Sequence, residues 1–236
     1  LDAHEADGMI DRQLEDLPTD KVIAERQSNG RGMFTPEFAV MLAYTKNVAV
    51  QEILESDLPD DPVLEHDLLT YFPEALRARF PDALRSHRLG RESVTTKLVN
   101  DMVNLSGISF DHRMTEGTGA RISDVARAFV IARSVTGFQE QWGQVDELVD
   151  LDLDAQIGVF LDLRRMAERC ATWLLRNRRL PLDLESAISR YREPFATLAT
   201  SVEQVAAGRV ADEIASLRSR RIEQGVPEPL ADVASH

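Results

Sequence analysis

The sequence predicts an all-α protein, an irregular multi-helix bundle of about ten helices of unequal length with no sheet. Three observations carry that expectation. Apolar residues recur at three- and four-residue steps along most of the chain. No segment shows the alternating, β-branched pattern between turn residues that marks a strand. Prolines fall where a helix can begin, since proline's φ is ready for the helix and its missing N–H is not needed in the first turn.

Taken in order, Leu1 to Asp16 is expected to be helical with a break at Gly8, and Thr19 stands where it can cap a short helix ending at Asn29-Gly30, a pair suited to left-handed backbone. The first strong start is Thr35-Pro36-Glu37, where threonine can cap free amides, proline suits the first turn and glutamate complements the helix dipole. Phe38, Met41, Leu42, Thr45, Val48, Ala49 and Ile53 keep one face of this long helix mostly apolar, and Ser56 to Asp61 closes it. Pro62, Pro73 and Pro81 each stand where proline can be the first residue of a short helix. A longer helix is expected over 91–105, ending at Ser106-Gly107, followed by a short one carrying Phe110 and Met114. Ser123-Asp124 opens the next, with Val125, Ala128, Phe129, Ala132 and Val135 on one face and Gly137 beyond its end.

The strongest helix follows Asp152 or Asp154, and its expected core stripe is Leu153, Ile157, Phe160, Leu163, Ala167, Cys170 and Leu174. Pro181 ends it, and Leu184, Ile188 and Tyr191 begin another. The last full helix spans 206–224, with Val210, Ile214 and Leu217 on its apolar stripe and Gly225 at its end. Val226 to Leu230 then starts a helix that completes no apolar repeat, so the chain is expected to be a piece of a longer one. The elements group as lead-in helices over 1–34, a helical subdomain over 35–137, and a second over 138–236, expected to be truncated at its C-terminus.

With 236 residues, 43% of them apolar, the chain can bury a core. No run approaches the ~18 apolar residues of a membrane span, and Leu1-Asp2-Ala3-His4-Glu5 lacks the pattern of a secretory signal, so a soluble, cytoplasmic protein without a membrane partner is expected. A net charge of −13 and a pI near 4.8 repel phosphate backbones, which excludes nucleic acid as a partner class. The single Cys170 can form no internal disulfide and is expected to behave as a small buried hydrophobe. Arginines cluster at 176, 178 and 179 and at 218, 220 and 221, where helices are expected to end, and interaction with the negative end of the helix dipole accounts for them; a phosphate-binding use is the competing reading.

No catalytic, cofactor-binding or metal-binding residues are assigned. Gly117-Thr118-Gly119-Ala120-Arg121-Ile122 is the nearest approach to a dinucleotide loop, but it lacks the third glycine and a preceding strand, and is expected to be a loop between helices. His4, His66, His87 and His112 have no ligand partner at helical spacing. Glu65-His66-Asp67 is expected to be an exposed polar patch, since adjacent helical residues point in different directions. One pattern stands out: Lys97, Asn100, Asp101 and Asn104 share a helix face opposite Leu98, Val99, Met102 and Val103. A solvated polar side is the plain reading; a hydrogen-bonded face contacting a neighbouring domain is the other, because asparagines favour a helix little unless their amides are used.

Several stretches occurring in one order resemble a known family. They are Ser28-Asn29-Gly30-Arg31-Gly32 leading into Pro36-Glu37-Phe38-Ala39-Val40-Met41-Leu42-Ala43-Tyr44, then Ser56-Asp57-Leu58-Pro59-Asp60-Asp61-Pro62 and Tyr71-Phe72-Pro73. Val99-Asn100-Asp101-Met102-Val103-Asn104, Asp124-Val125-Ala126-Arg127-Ala128-Phe129 and Trp173-Leu174-Leu175-Arg176-Asn177 follow. Across nearly its whole length the chain resembles the C-terminal helical region of the large bacterial NAD-specific glutamate dehydrogenases. Thr35 departs from that pattern, which leads one to expect a basic residue before the proline. The resemblance implies a full-length homo-oligomeric enzyme that oxidises L-glutamate with NAD to 2-oxoglutarate and ammonium. It also implies that the dehydrogenase domain precedes Leu1 in the same chain, and that this region binds no cofactor of its own. The expected role here is structural, assembly-related or regulatory, including nucleotide sensing through the arginines; a free-standing all-α interaction module is the alternative.

Overall fold

The computed structural model describes residues 2–6 and 8–235; Leu1, Asp7 and His236, and the side chains of Ala3, His4 and Glu203, lie outside the described residues, so the expected helix start at Leu1 and the His4 side chain do too. Among the described residues the chain is helical without a strand: α1 (Asp2–Ala6), α2 (Asp20–Ser28), α3 (Thr35–Leu54), α4 (Glu65–Thr70), α5 (Glu74–Arg79), α6 (Pro81–Arg85), α7 (Gly90–Ser106), α8 (Phe110–Thr118), α9 (Ile122–Thr136), α10 (Phe138–Asp146), α11 (Leu153–Asn177), α12 (Leu184–Val205), α13 (Arg209–Glu223) and α14 (Glu228–Ser235). Tight 3-10 turns at Leu58–Asp60 and Pro62–Leu64 join α3 to α4.

The axis of the fold is α9. Fourteen of its fifteen residues are buried, a pattern that only a helix packed on all sides can keep. α3, α7 and α8 cover part of it, α10, α11 and α12 cover the rest, and α14 packs on α11 and α13. One cluster of buried apolar residues therefore runs from Ala49 of α3 to Ala234 of α14, with Phe110, Phe129, Phe138, Met102 and Leu163 among its largest fully buried side chains. Each such side chain contributes about 1.5–3 kcal/mol of burial before chain entropy is subtracted.

Local sequence explains most helix ends, with corrections. Phe34, not Thr35, occupies the cap position of α3; Glu37 takes the capping role by accepting the Phe34 amide at 2.7 Å. Thr19 caps α2 by position but makes no side-chain cap bond. Asp152 caps α11 through the amides of Asp154 at 2.9 Å and Ala155 at 3.3 Å, and Asp183 caps α12 through Ser186 at 2.7 Å. Pro62 and Pro81 do begin their segments, whereas Pro73 sits one residue earlier, at the cap of α5. Gly107, Gly119 and Gly137 close α7, α8 and α9 at positive φ, a conformation that costs glycine least.

Other expectations fail outright or in part. Beyond Gly8 the lead-in is turns rather than helix, and Asp16 takes φ 51°. The expected loop between helices is found at 119–121, but it is shorter than expected, since Gly117 and Thr118 form the last turn of α8 and Ile122 opens α9. The helix α10 lies where none is expected, and Pro194 lies inside α12. On α11 Leu153 and Ile157 are 65% and 45% exposed, so the core stripe runs instead through Ala155, Val159, Leu163, Ala167, Ala171 and Leu174. Val210 of α13 is likewise exposed, and only Ile214 of its apolar stripe is buried. The final segment does complete a packed face, through Leu230, Ala231 and Ala234.

Candidate functional site

The polar face of α7 lies against α3, α9 and α10. The Lys46 ammonium, from α3, donates to Asn100 Oδ1 at 2.8 Å and Asn104 Oδ1 at 2.9 Å, giving both asparagine carbonyls a donor. Lys97 pairs with Asp101, which also accepts Arg133 Nη1 of α9 at 3.4 Å and Gln139 Nε2 of α10 at 3.2 Å. Arg133 is buried and reaches on to the buried Asp67 of α4. The four residues singled out by sequence thus belong to one network with Lys46, Asp67, Arg133 and Gln139, and only Asn104 of the four is exposed. Those four partners are not legible in the sequence pattern of α7. The usable signal is Arg133 itself, a charge next to the apolar run Phe129-Val130-Ile131-Ala132, because a buried guanidinium must find a carboxylate.

Glu65, His66 and Asp67 are therefore not one exposed patch. Asp67 turns inward to Arg133, while Glu65 pairs with Arg85 at the surface. Two more arginines are buried among the described residues. Arg127 of α9 pairs with Asp57 and donates to the Leu182 carbonyl at 3.3 Å, tying the turn after α3 to the linker before α12. Arg221 of α13 donates to Asp162 Oδ2 of α11 at 2.9 Å from Nε and 2.5 Å from Nη2. Gly158 leaves the room for this contact, since a Cβ there would stand 2.8 Å from the Arg221 Cζ. Each arginine links segments far apart in sequence; the Arg133–Asp67 and Arg221–Asp162 pairs are buried on both sides, and breaking such a pair typically costs about 3–5 kcal/mol, whereas Asp57, the partner of Arg127, is exposed.

Arg176, Arg220 and Arg221 stand in the last turns of α11 and α13, as the dipole reading expects, and the clustered arginines also make specific contacts. Arg178 stacks 4.5 Å from the Trp173 ring centre and donates to the Tyr191 hydroxyl; Arg176 donates to the Gly117 carbonyl at 3.2 Å; Arg218 pairs with Asp232 and Glu228. A cleft of about 490 Å³ lies over α9 between α11 and α12. Cys170 lines it half-buried, and burial pushes its thiol up to about 11, leaving it protonated at neutral pH. Among the described residues no three metal-ligating side chains converge, and no helix is long and apolar enough to cross a membrane.

Fold and site together define an all-helical packing unit whose buried charges hold its helices to one another. The family described as "Glutamate dehydrogenase, C-terminal" matches residues 30–236, and the chain belongs to that family. Among its relatives, a protein named NAD-specific glutamate dehydrogenase from Halomonas elongata is 35% identical over 98% of this chain. Proteins of the same name from Pseudomonas aeruginosa and Mycobacterium tuberculosis are 36% and 35% identical over 96% and 94% of it. The chain spans 14% of the length of each of these relatives.

Proposed function

We propose that this chain is a non-catalytic helical buttress of a large glutamate dehydrogenase, docking on the dehydrogenase part of the same enzyme and supporting its assembly or regulation. One observation carries the reading: the buried arginines Arg127, Arg133 and Arg221 are all taken up in holding helices together. The enzyme as a whole oxidises L-glutamate with NAD, a cofactor held outside this region. The docking surface is the outer ridge of α11, where Leu153, Ile157 and Leu161 repeat every four residues and stay 65%, 45% and 41% exposed. An apolar helical row left open to water fits burial against a neighbour. Asn104, the exposed end of the α7 polar face, belongs to a second contact surface with Lys97, Asn100 and Asp101 behind it.

The test is association in trans, by sedimentation, of this chain with the separately expressed remainder of the enzyme. A stable complex is expected, and Ile157→Glu with Leu161→Glu should abolish it while leaving the chain's helical circular dichroism intact. Absence of a complex with the unaltered chain, or full binding by the double variant, contradicts the assignment.

A further inference from the structure

The cleft over α9 has the shape and charge of a ligand site, and the inference drawn from it stands independently of the docking reading above. α11 and α12 each pack on α9 more extensively than on each other, so they leave a trough with Ile131 and Val135 of α9 as its floor. One end closes where Trp173 meets Tyr191 edge-on, ring centres 5.7 Å apart; Leu217 of α13 and Ala234 of α14 also wall it. A volume of about 490 Å³ falls in the range of small-molecule sites, and its walls are mostly apolar, as such sites are.

The polar groups at its edge carry a surplus of positive charge. Arg165 and Arg169 stand one turn apart on α11, both lining the cleft and both exposed. Asp162 is the one acidic residue among the described lining residues, and Arg221 already holds it through two bonds to one oxygen. Arg165 reaches the other Asp162 oxygen at 3.0 Å, while Arg169 makes no ion pair or hydrogen bond among the described residues. Two exposed guanidinium groups and one carboxylate therefore line the cleft, and that carboxylate is already held by Arg221, on a chain whose net charge is −13. A second carboxylate placed between Arg165 and Arg169 would accept charge-assisted hydrogen bonds.

We propose that this cleft binds a small amphiphilic carboxylate, with its apolar tail over Ile131, Val135 and Phe195 and its head group between Arg165 and Arg169. Tail burial supplies the bulk of the affinity, and the two arginines select the charged head. The ligand is bound and released unchanged; no covalent step is involved.

Decanoate, held below its micellar concentration, is the probe, with decanol as its uncharged counterpart. Trp173 lines the cleft, so a Trp142→Phe background leaves a single reporter inside it. Saturable quenching by decanoate is expected, together with about tenfold weaker binding of decanol and of decanoate to the Arg165→Gln, Arg169→Gln double variant. Both arginines are exposed, so the double variant is expected to keep its circular dichroism; Leu198→Asp, which places a negative charge over the tail of an anionic ligand, gives an independent loss of binding. No saturable quenching up to about 1 mM decanoate, equal affinity for decanol, or undiminished binding by both variants overturns the proposal.

Discussion

Glu37 joins two helices with one carboxylate: it accepts the Phe34 amide at the start of α3 and both its oxygens bind Arg26 of α2, at 2.9 and 2.7 Å. The Arg26 hydrogen bond, followed by the Phe34 amide, holds its pKa below the usual carboxylate range. A carboxylate lowered in the folded state adds stability that is fully present above its unfolded pKa of about 4.3 and is lost as pH falls through the folded value. The protection of the Phe34 and Phe38 amides, as exchange rates relative to the intrinsic rate at each pH, should accordingly be high at about pH 6 and fall below about pH 4; Glu37→Gln should give low protection at both, and no difference between the two proteins would remove Glu37 from the α2–α3 junction. Cys170 gives a second test at this scale. With its thiol near 11, about one molecule in a thousand carries the thiolate at about pH 8. Iodoacetamide labelling should rise about tenfold per pH unit through about pH 10, and a plateau by about pH 9 would show an ordinary exposed thiol.

At the scale of elements, Arg133 fastens α9 to α4 and α7, and Arg221 fastens α13 to α11. Arg133→Ala strands the buried Asp67 and should cost about 3–5 kcal/mol in urea unfolding; a loss under about 1 kcal/mol, the value of an exposed pair, would mean that the network is not buried in solution. Gly158→Ala forces the Arg221 guanidinium away from Asp162, and α13 amides should then exchange faster than those of α9 and α11. Much of this scaffold is legible in the sequence, because α3, α7, α9 and α11 carry long apolar repeats with recognisable ends. The misreadings have physical causes. On α11, Leu153 and Ile157 keep the same period as Val159, Leu163 and Ala167, and composition cannot say which of two apolar rows faces the chain's own core. α10 carries only Phe138, Trp142 and Val145 as large apolar anchors, with Gly143 between them, too few for a periodic signal. The α7 face is visible as a pattern, but its network is closed by Lys46, Asp67 and Gln139, whose bonds span 54, 66 and 38 residues, and pairing at that range leaves no local mark.

Across the whole molecule, one helix holds the fold together. α9 is covered by α3, α7, α8, α10, α11 and α12, so its amides should exchange only through global unfolding and be the slowest in the chain. If α11 or α3 proved slower, the core would be centred elsewhere. The relatives are about seven times longer than this chain, and the place proposed for it in such an enzyme is a supporting one, with the redox chemistry performed beyond it. The most direct measurement is NADH formation from L-glutamate and NAD by the purified 236-residue chain, alone and added to the separately expressed remainder. No turnover by the chain alone is expected, with greater activity or stability of the remainder when the chain is present. Glutamate-dependent NADH production by the isolated chain would contradict the supporting role.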